Sequence, residues 1–347
     1  MESERPAEEP IIEPVIEEPE EAVQVEEQPA PLVDIPEQPV LVTGAAGLVG
    51  SHVCQELARR GWKIRALVRD PRKAAARLAG VPVQVTTGDI RDRDTLLSAT
   101  RDTSAVIHLA AIAVERPGQS YEQVNAEATT TLLEAARTNG VDRFVHMSQN
   151  GASSASPYRF LRSKGIAEDR VRESDRQWTV LRPSVIFGPE DEFVNVLARL
   201  VRLTPVIFPL PGGGTARFQP VAVDDVARAI GVALERTETL GGVYPLGGPA
   251  ALTLRQMVER VLLAMDEERT FVNVPIAVLY PLVALAERVL PNPPVTTSLL
   301  DLLNVDNTVS DLALQDVFGI TPTPFAPEEI SYLKQITVSD ALRSMLG

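Results

Sequence analysis

From residue 40 onward, short apolar runs alternate with stretches in which apolar residues recur every three or four positions. The runs Val40–Thr43, Lys63–Val68, Val83–Thr87, Ala105–Leu109, Arg143–Ser148 and Trp178–Pro183 read as strands. Between them, Ser51–Arg60, Pro71–Leu78, Asp92–Ala99, Tyr121–Asn139 and Pro157–Arg172 carry the helical period. Strands apolar on both faces, separated by helices, form a parallel sheet covered on both sides. The expected fold is therefore α/β: a doubly wound parallel Rossmann sheet in residues 39–189, with a smaller, mostly helical part in residues 190–347 interleaved with it. After Pro189 the rhythm breaks. Phe193, Val196, Leu197, Leu200 and Val201 mark one amphipathic helix, and Val223–Glu235 another. The run Val274–Leu290 is apolar but interrupted by Pro275 and Pro281. It is too short and broken to span a bilayer, and a core helix is the expectation.

Residues 1–38 have a different character. Up to Pro39 the chain holds 13 acidic residues, one basic residue, eight prolines and no glycine. Prolines remove backbone donors and the carboxylates repel one another, so this stretch reads as a disordered, solvating tail. Ile11, Ile12, Val15 and Ile16 are its apolar positions. The tail accounts for 12 of the 14 net negative charges, which leaves a nearly neutral body. A neutral body has no basic stripe for nucleic acid. One cysteine and three histidines leave no set for a metal site. With no basic start, no apolar leader and no Arg-rich presequence, the expected location is cytoplasmic.

The turn after the first strand carries the chemistry. Gly44-Ala45-Ala46-Gly47-Leu48-Val49-Gly50 lies between strand and helix, the context a dinucleotide fingerprint requires. Gly44 permits the tight turn, Gly47 lets backbone approach a pyrophosphate, and Gly50 lets helix and strand pack closely. The helix start then offers free N–H groups to phosphate. At the tip of the second strand stands Arg69, followed by Asp70, Arg72 and Lys73. Guanidinium groups there suit a 2′-phosphate, which favours NADP(H) over NAD(H). Asp70 caps the next helix, or takes a ribose if the strand runs two residues longer.

These features together resemble the extended and atypical short-chain dehydrogenase/reductases. The glycine loop matches their phosphate loop, Gly88-Asp89-Ile90 their adenine turn, and His108-Leu109-Ala110-Ala111 their fourth-strand motif. Asn125 matches the central helix, His146-Met147-Ser148 the serine strand, and Leu181-Arg182-Pro183 the nicotinamide end. The resemblance implies cofactor contacts from Ala46, Leu48, Val49, Arg72, Asp89, Ile90, Leu109, Ala110, Ala111, Asn125, Pro183 and Val185. Further on, Arg182–Phe193, Phe218–Ala227 and Leu246–Pro249 are similar to the Rossmann-type accessory subunit family of respiratory complex I and its bacterial relatives. That family implies an NADP(H)-binding protein, structural or weakly active, working with a membrane-associated respiratory or quinone-related complex. A peripheral place on the inner face of the plasma membrane follows.

Active members of the wider superfamily use Tyr-x-x-x-Lys. Here Lys164 is preceded four residues earlier by Phe160, which has no hydroxyl. Tyr158 lies six residues before Lys164, which in a regular helix is about 120° away. Ser156-Pro157 reads as cap and first residue, placing Tyr158 in the first turn. Ser148, Lys164 and Tyr158 are the catalytic candidates. Either proton transfer is lost and cofactor binding kept, or Tyr158, Ser148 or water donates the proton, leaving an active oxidoreductase or epimerase on a lipophilic or sugar-like substrate.

Overall fold

The structure is a computed structural model that describes residues 35–290 and 292–346. The expectations for the acidic tail concern residues almost wholly outside these. Seven parallel strands form the central sheet: β1 (Val40–Thr43), β2 (Ile64–Val68), β3 (Val83–Thr87), β4 (Ala105–His108), β5 (Arg143–Met147), β6 (Gln177–Pro183) and β7 (Val243–Leu246). Their order is β7-β6-β5-β4-β1-β2-β3. The order reverses between β1 and β4, where Thr43 pairs with His108. In such sheets ligands bind at this switch point, in the crevice beyond the carboxyl ends of the strands. This is the doubly wound fold the alternating pattern implies, and β7 reaches the sheet from beyond residue 190.

Alternation along the strands sorts the core onto two faces. Val40 and Val42 point to one side with Val53 and Leu57 of α1 (Leu48–Arg59) and with Val226 and Ile230. Leu41, Val106 and Phe144 point to the other with Leu96 and Leu132. The covering helices there include α3 (Arg93–Thr100), α4 (Ala128–Thr138) and α5 (Arg159–Arg172), whereas α2 (Pro71–Arg77) packs with α1 on the first face through Ala74. A separate cluster joins α6 (Val194–Leu203) to the later segments through Val201, Phe208, Met257 and Phe325. α7 (Val223–Glu235) lies against α1, and α8 (Leu254–Ala264) opens with a capping box at Thr253 and Gln256.

The structure corrects four local expectations. α1 begins at Leu48 rather than Ser51, directly after Gly47. The helix expected from Tyr121 opens as a π-helical turn, Glu122–Glu127, before α4. α5 begins at Arg159 rather than Pro157, because the Ser156 hydroxyl accepts from the Tyr158 N–H (3.2 Å) and closes a turn ahead of the helix. Tyr158 is the extended N-cap, with ψ 122°, not a first-turn residue. Finally, α9 (Ile276–Val289) is no core helix, since none of its residues is buried. It turns Tyr280 and Glu287 inward, onto Asp301 and Thr297 of α10 (Thr297–Leu302), and leaves Val278, Leu282, Leu285 and Val289 exposed. The polar neighbours on its inner side fix that orientation.

Candidate functional site: a dinucleotide crevice and an adjoining cavity

The crevice begins at the glycine loop. Gly44 has φ +71°, and a Cβ on it would meet Ala110 N at 2.9 Å. A Cβ on Gly50 would lie 2.1 Å from the Gly44 carbonyl oxygen and 2.7 Å from Ala45 Cα. Both contacts are with backbone, so no side-chain rotation relieves them. Ala46 and Gly47 complete the turn, and Leu48 and Val49 open α1 without a side-chain cap or an acidic residue in the first turn. That end therefore offers N–H groups and a positive dipole to an anion. A cradle that side chains would fill, ending on an uncapped helix start, fits a nicotinamide dinucleotide's pyrophosphate.

At the β2 tip Asp70 is committed to the chain itself. Its carboxylate accepts from Arg72 N (2.8 Å) and Lys73 N (3.3 Å) as cap of α2. Arg69 and Arg72 stay exposed beside it. Asp89 is held by Arg91 through two side-chain hydrogen bonds (2.7 and 3.0 Å). Those bonds, with the nearby charge of Arg69 contributing less, hold its carboxyl below the usual range. Ile90 beside it is buried.

The β4 side of the crevice rests on a buried hydrogen-bonded chain. Thr129 donates to Asn125 O (2.7 Å), so its hydroxyl accepts from His108 Nε2 (2.9 Å). His108 Nδ1 then accepts from Thr43 Oγ1 (2.7 Å), which itself accepts from Ala110 N (3.3 Å). This pattern assigns one neutral tautomer. Burial, with Lys164 nearby adding to it, pushes the imidazole down to about 3. The chain sets Leu109, Ala110 and Ala111 against the glycine loop. Asn125 does not reach into the crevice. It clamps the Ile112 peptide through N–H and C=O (2.9 and 3.2 Å) and donates to Ser163 (3.0 Å).

Ser148 follows β5 and is 2% exposed, and its hydroxyl has no hydrogen-bond partner. Lys164 is 4% exposed and donates to the Met147 carbonyl (2.6 Å). Burial pushes its ammonium down to about 8, opposed by Glu168. Glu168 is engaged bidentately by Arg182 (2.8 and 2.6 Å), which fixes α5 to β6. Pro183 and Val185 are buried beyond it, and their carbonyls accept from Asn150 and Val221. Phe160, in the second position of α5, stacks on Tyr121 with ring centroids 5.7 Å apart. Phe160, Tyr158 and Tyr121 border one cavity of about 300 Å³. Tyr158 thus shares the cavity with Phe160 despite its different helical phase, because it lies outside the helix.

Sequence reading missed several groups. Thr43 and Thr129 support His108. Arg159 ties the start of α5 to Glu115 (2.5 and 3.0 Å) on the loop after β4. Asp225 accepts from Thr323 N (2.6 Å) and so anchors the C-terminal segment. Of these only Asp225 carried a signal, its place at a helix start.

The model of the NAD dependent epimerase/dehydratase family matches residues 40–247. The chain is 32% identical over 291 residues to NADH dehydrogenase [ubiquinone] 1 alpha subcomplex subunit 9, mitochondrial, from Arabidopsis thaliana, covering 79% of this chain and 71% of that protein. It is 34% identical over 203 residues to the ceramide reductase of Caulobacter vibrioides, covering 58% of this chain and 62% of that one. The solved UDP-glucuronic acid 4-epimerase of Bacillus cereus, in complex with UDP-glucuronic acid and NAD, superposes with a TM-score of 0.66 at 21% identity, over 85% of this chain and 99% of the other. These relatives correct the expected cytoplasmic location, because the Arabidopsis protein and its Mus musculus counterpart are mitochondrial. Among the described residues no helix is long and apolar enough to cross a membrane. With the family matched across the sheet and the glycine cradle, the chain belongs to the NAD dependent epimerase/dehydratase family, alongside the subunit 9 proteins of respiratory complex I.

Proposed function

We propose that the chain binds NADP(H) in the β1/β4 crevice and holds it with little turnover, as a structural member of a respiratory or quinone-related assembly. The observation that carries this reading is Phe160, one turn before Lys164 in a regular helix. When bound, the nicotinamide supplies a hydride. Ser148, unpartnered at the end of β5, would hold a carbonyl oxygen, and Lys164 would hold the nicotinamide ribose. No hydroxyl stands one turn before Lys164 to deliver the proton, and general acid–base catalysis supplies about 10²–10⁴-fold in rate. NADP(H) is preferred to NAD(H) because Arg69 and Arg72 are exposed at the β2 tip while Asp70 is spent on its cap. The relatives named as NADH dehydrogenase subunits support the assembly, and the neighbours solved with NAD support a nicotinamide dinucleotide.

A specific observation favours a second reading, an active oxidoreductase on a lipophilic substrate. Tyr158 and Tyr121 border the cavity beside Phe160, and the Caulobacter relative is a reductase of a lipid. NADPH oxidation with small quinones and aldehydes separates the two. The first reading expects slow wild-type turnover that rises at least about tenfold in Phe160→Tyr, within the range of a restored general acid. A fast wild type that collapses in Tyr158→Phe would replace it with the second.

A further inference from the structure

The charges lining the cavity beside Phe160 narrow what it can hold further than the second reading does. Its apolar surface comes from Val114, Phe160 and Leu302, with the rings of Tyr121 and Tyr158. Its charged groups are predominantly carboxylates: Glu115, Glu287 and Asp301. Among the described residues the one cation on its wall is Arg159, whose guanidinium is occupied by Glu115 and, at 3.4 Å, by Glu122. Glu287 accepts from Thr297 N and Oγ1, both at 3.0 Å, and Asp301 accepts from the Tyr280 hydroxyl. These are neutral donors, so no cation is paired with either carboxylate. Burial raises the Asp301 carboxyl, as expected for a carboxylate without a cation beside it.

An anionic ligand entering this space would lose hydration, meet three carboxylates and find no free cation. An uncharged molecule would bury apolar surface against the rings and keep a hydroxyl or carbonyl within reach of the tyrosine and serine hydroxyls. Tyr121 and Ser298 already hydrogen-bond one another at 3.0 Å, so the polar end of the cavity is organised. The volume, about 300 Å³, is at the small end for ligand pockets.

We infer that this cavity takes an uncharged ligand with an apolar body and a hydroxyl or carbonyl group, and that it refuses phosphorylated and carboxylated compounds, nucleotide sugars included. The inference rests on the reading of Tyr158 and Phe160 as the residues around the proton-donor position, since both border the cavity. It can be tested independently of nucleotide binding.

The test uses the full chain, with and without saturating NADPH, and three probes with one body: 4-phenylbutanol, 4-phenylbutyrate and 4-phenylbutyl phosphate. Affinities are read by ligand-observed NMR. The expected result is that the alcohol binds at least tenfold more tightly than either anion. Glu287→Gln combined with Asp301→Asn should narrow that gap by about tenfold, through gain by the anions. Leu302→Trp, which fills the cavity, should abolish alcohol binding while the melting temperature and the NADPH affinity hold. Equal or tighter binding of an anion, an unchanged gap in the carboxylate variant, or no binding of the alcohol overturns the inference. A preference for the alcohol in a protein that fails to bind NADPH leaves the inference standing and overturns the nucleotide reading instead.

Discussion

Replacing Gly50 by alanine is the sharpest perturbation of the proposed phosphate cradle. The added Cβ would stand 2.1 Å from Gly44 O, 2.7 Å from Ala45 Cα and 2.8 Å from Gly44 C. Non-bonded carbon contacts are ordinarily about 3.5–4.0 Å, so loop and helix must part by more than an ångström. Overpacking of that kind costs about 1–3 kcal/mol. The same displacement pulls the Gly44–Gly47 backbone from its position facing a pyrophosphate. Losing one charge-assisted hydrogen bond there costs about 1.5–3 kcal/mol, or roughly 10–150-fold in affinity. Gly47→Ala is the internal comparison, because its Cβ meets a single atom, Gly44 O, at 3.1 Å. Fluorescence titration of NADPH with parallel thermal melts reads both effects. Gly50→Ala should lower both affinity and melting temperature, and Gly47→Ala should perturb the melt less. Wild-type affinity and melting in Gly50→Ala would refute the reasoning, since no packed cradle could accept that atom unchanged.

Two further outcomes follow from buried titratable groups. Lys164 has its pKa lowered from 10.5 to about 8 by burial, so between those values the unfolded chain binds more protons. Its contribution is then fully present above pH 10.5 and lost as pH falls through about 8. Relative to Lys164→Met, the wild type should gain about 3 kcal/mol from pH 8 to pH 10.5 by denaturant titration; a flat difference would show the lysine is not buried as described. His146 is 2% exposed with neither ring nitrogen hydrogen-bonded, and burial holds its pKa well below 6.5. His146→Leu should raise stability by about 1–3 kcal/mol and weaken the loss seen as pH falls below 6.5, whereas a less stable variant would mean the imidazole has a partner.

Local pattern revealed most of the sheet and the cradle. Strand, glycine turn and helix are adjacent in sequence, and the atoms that crowd Gly50 lie within a few residues, whereas those that crowd Gly44 all belong to Leu109 and Ala110. The substitution at Phe160 was equally legible, because four-residue spacing fixes helical phase. The start of α5 was not. Ser156-Pro157 has the composition of a helix cap, yet the serine closes a turn onto Tyr158 two residues early. Nor was the π-helical turn at Glu122–Glu127 legible, since nothing in the local composition sets it apart from the α-helix that follows. Contacts across long separations left no trace: Asp225 with Thr323, Arg159 with Glu115, and the Thr43–His108–Thr129 chain. The α9 run misled for a different reason. Composition reports that a helix is apolar but not how much of it the protein covers, and here Tyr280 and Glu287 share the inner side while Val278, Leu282, Leu285 and Val289 stay exposed.

The central claim is that this chain is a nucleotide-holding protein, and native mass spectrometry of the purified full-length chain tests it most directly. The account predicts one bound NADP(H) per chain, retained through purification and displaced by added NADPH but not by equimolar NADH. A chain that carries no nucleotide and gains none when NADPH is added, or one that carries NAD(H) and keeps it against NADPH, would contradict it.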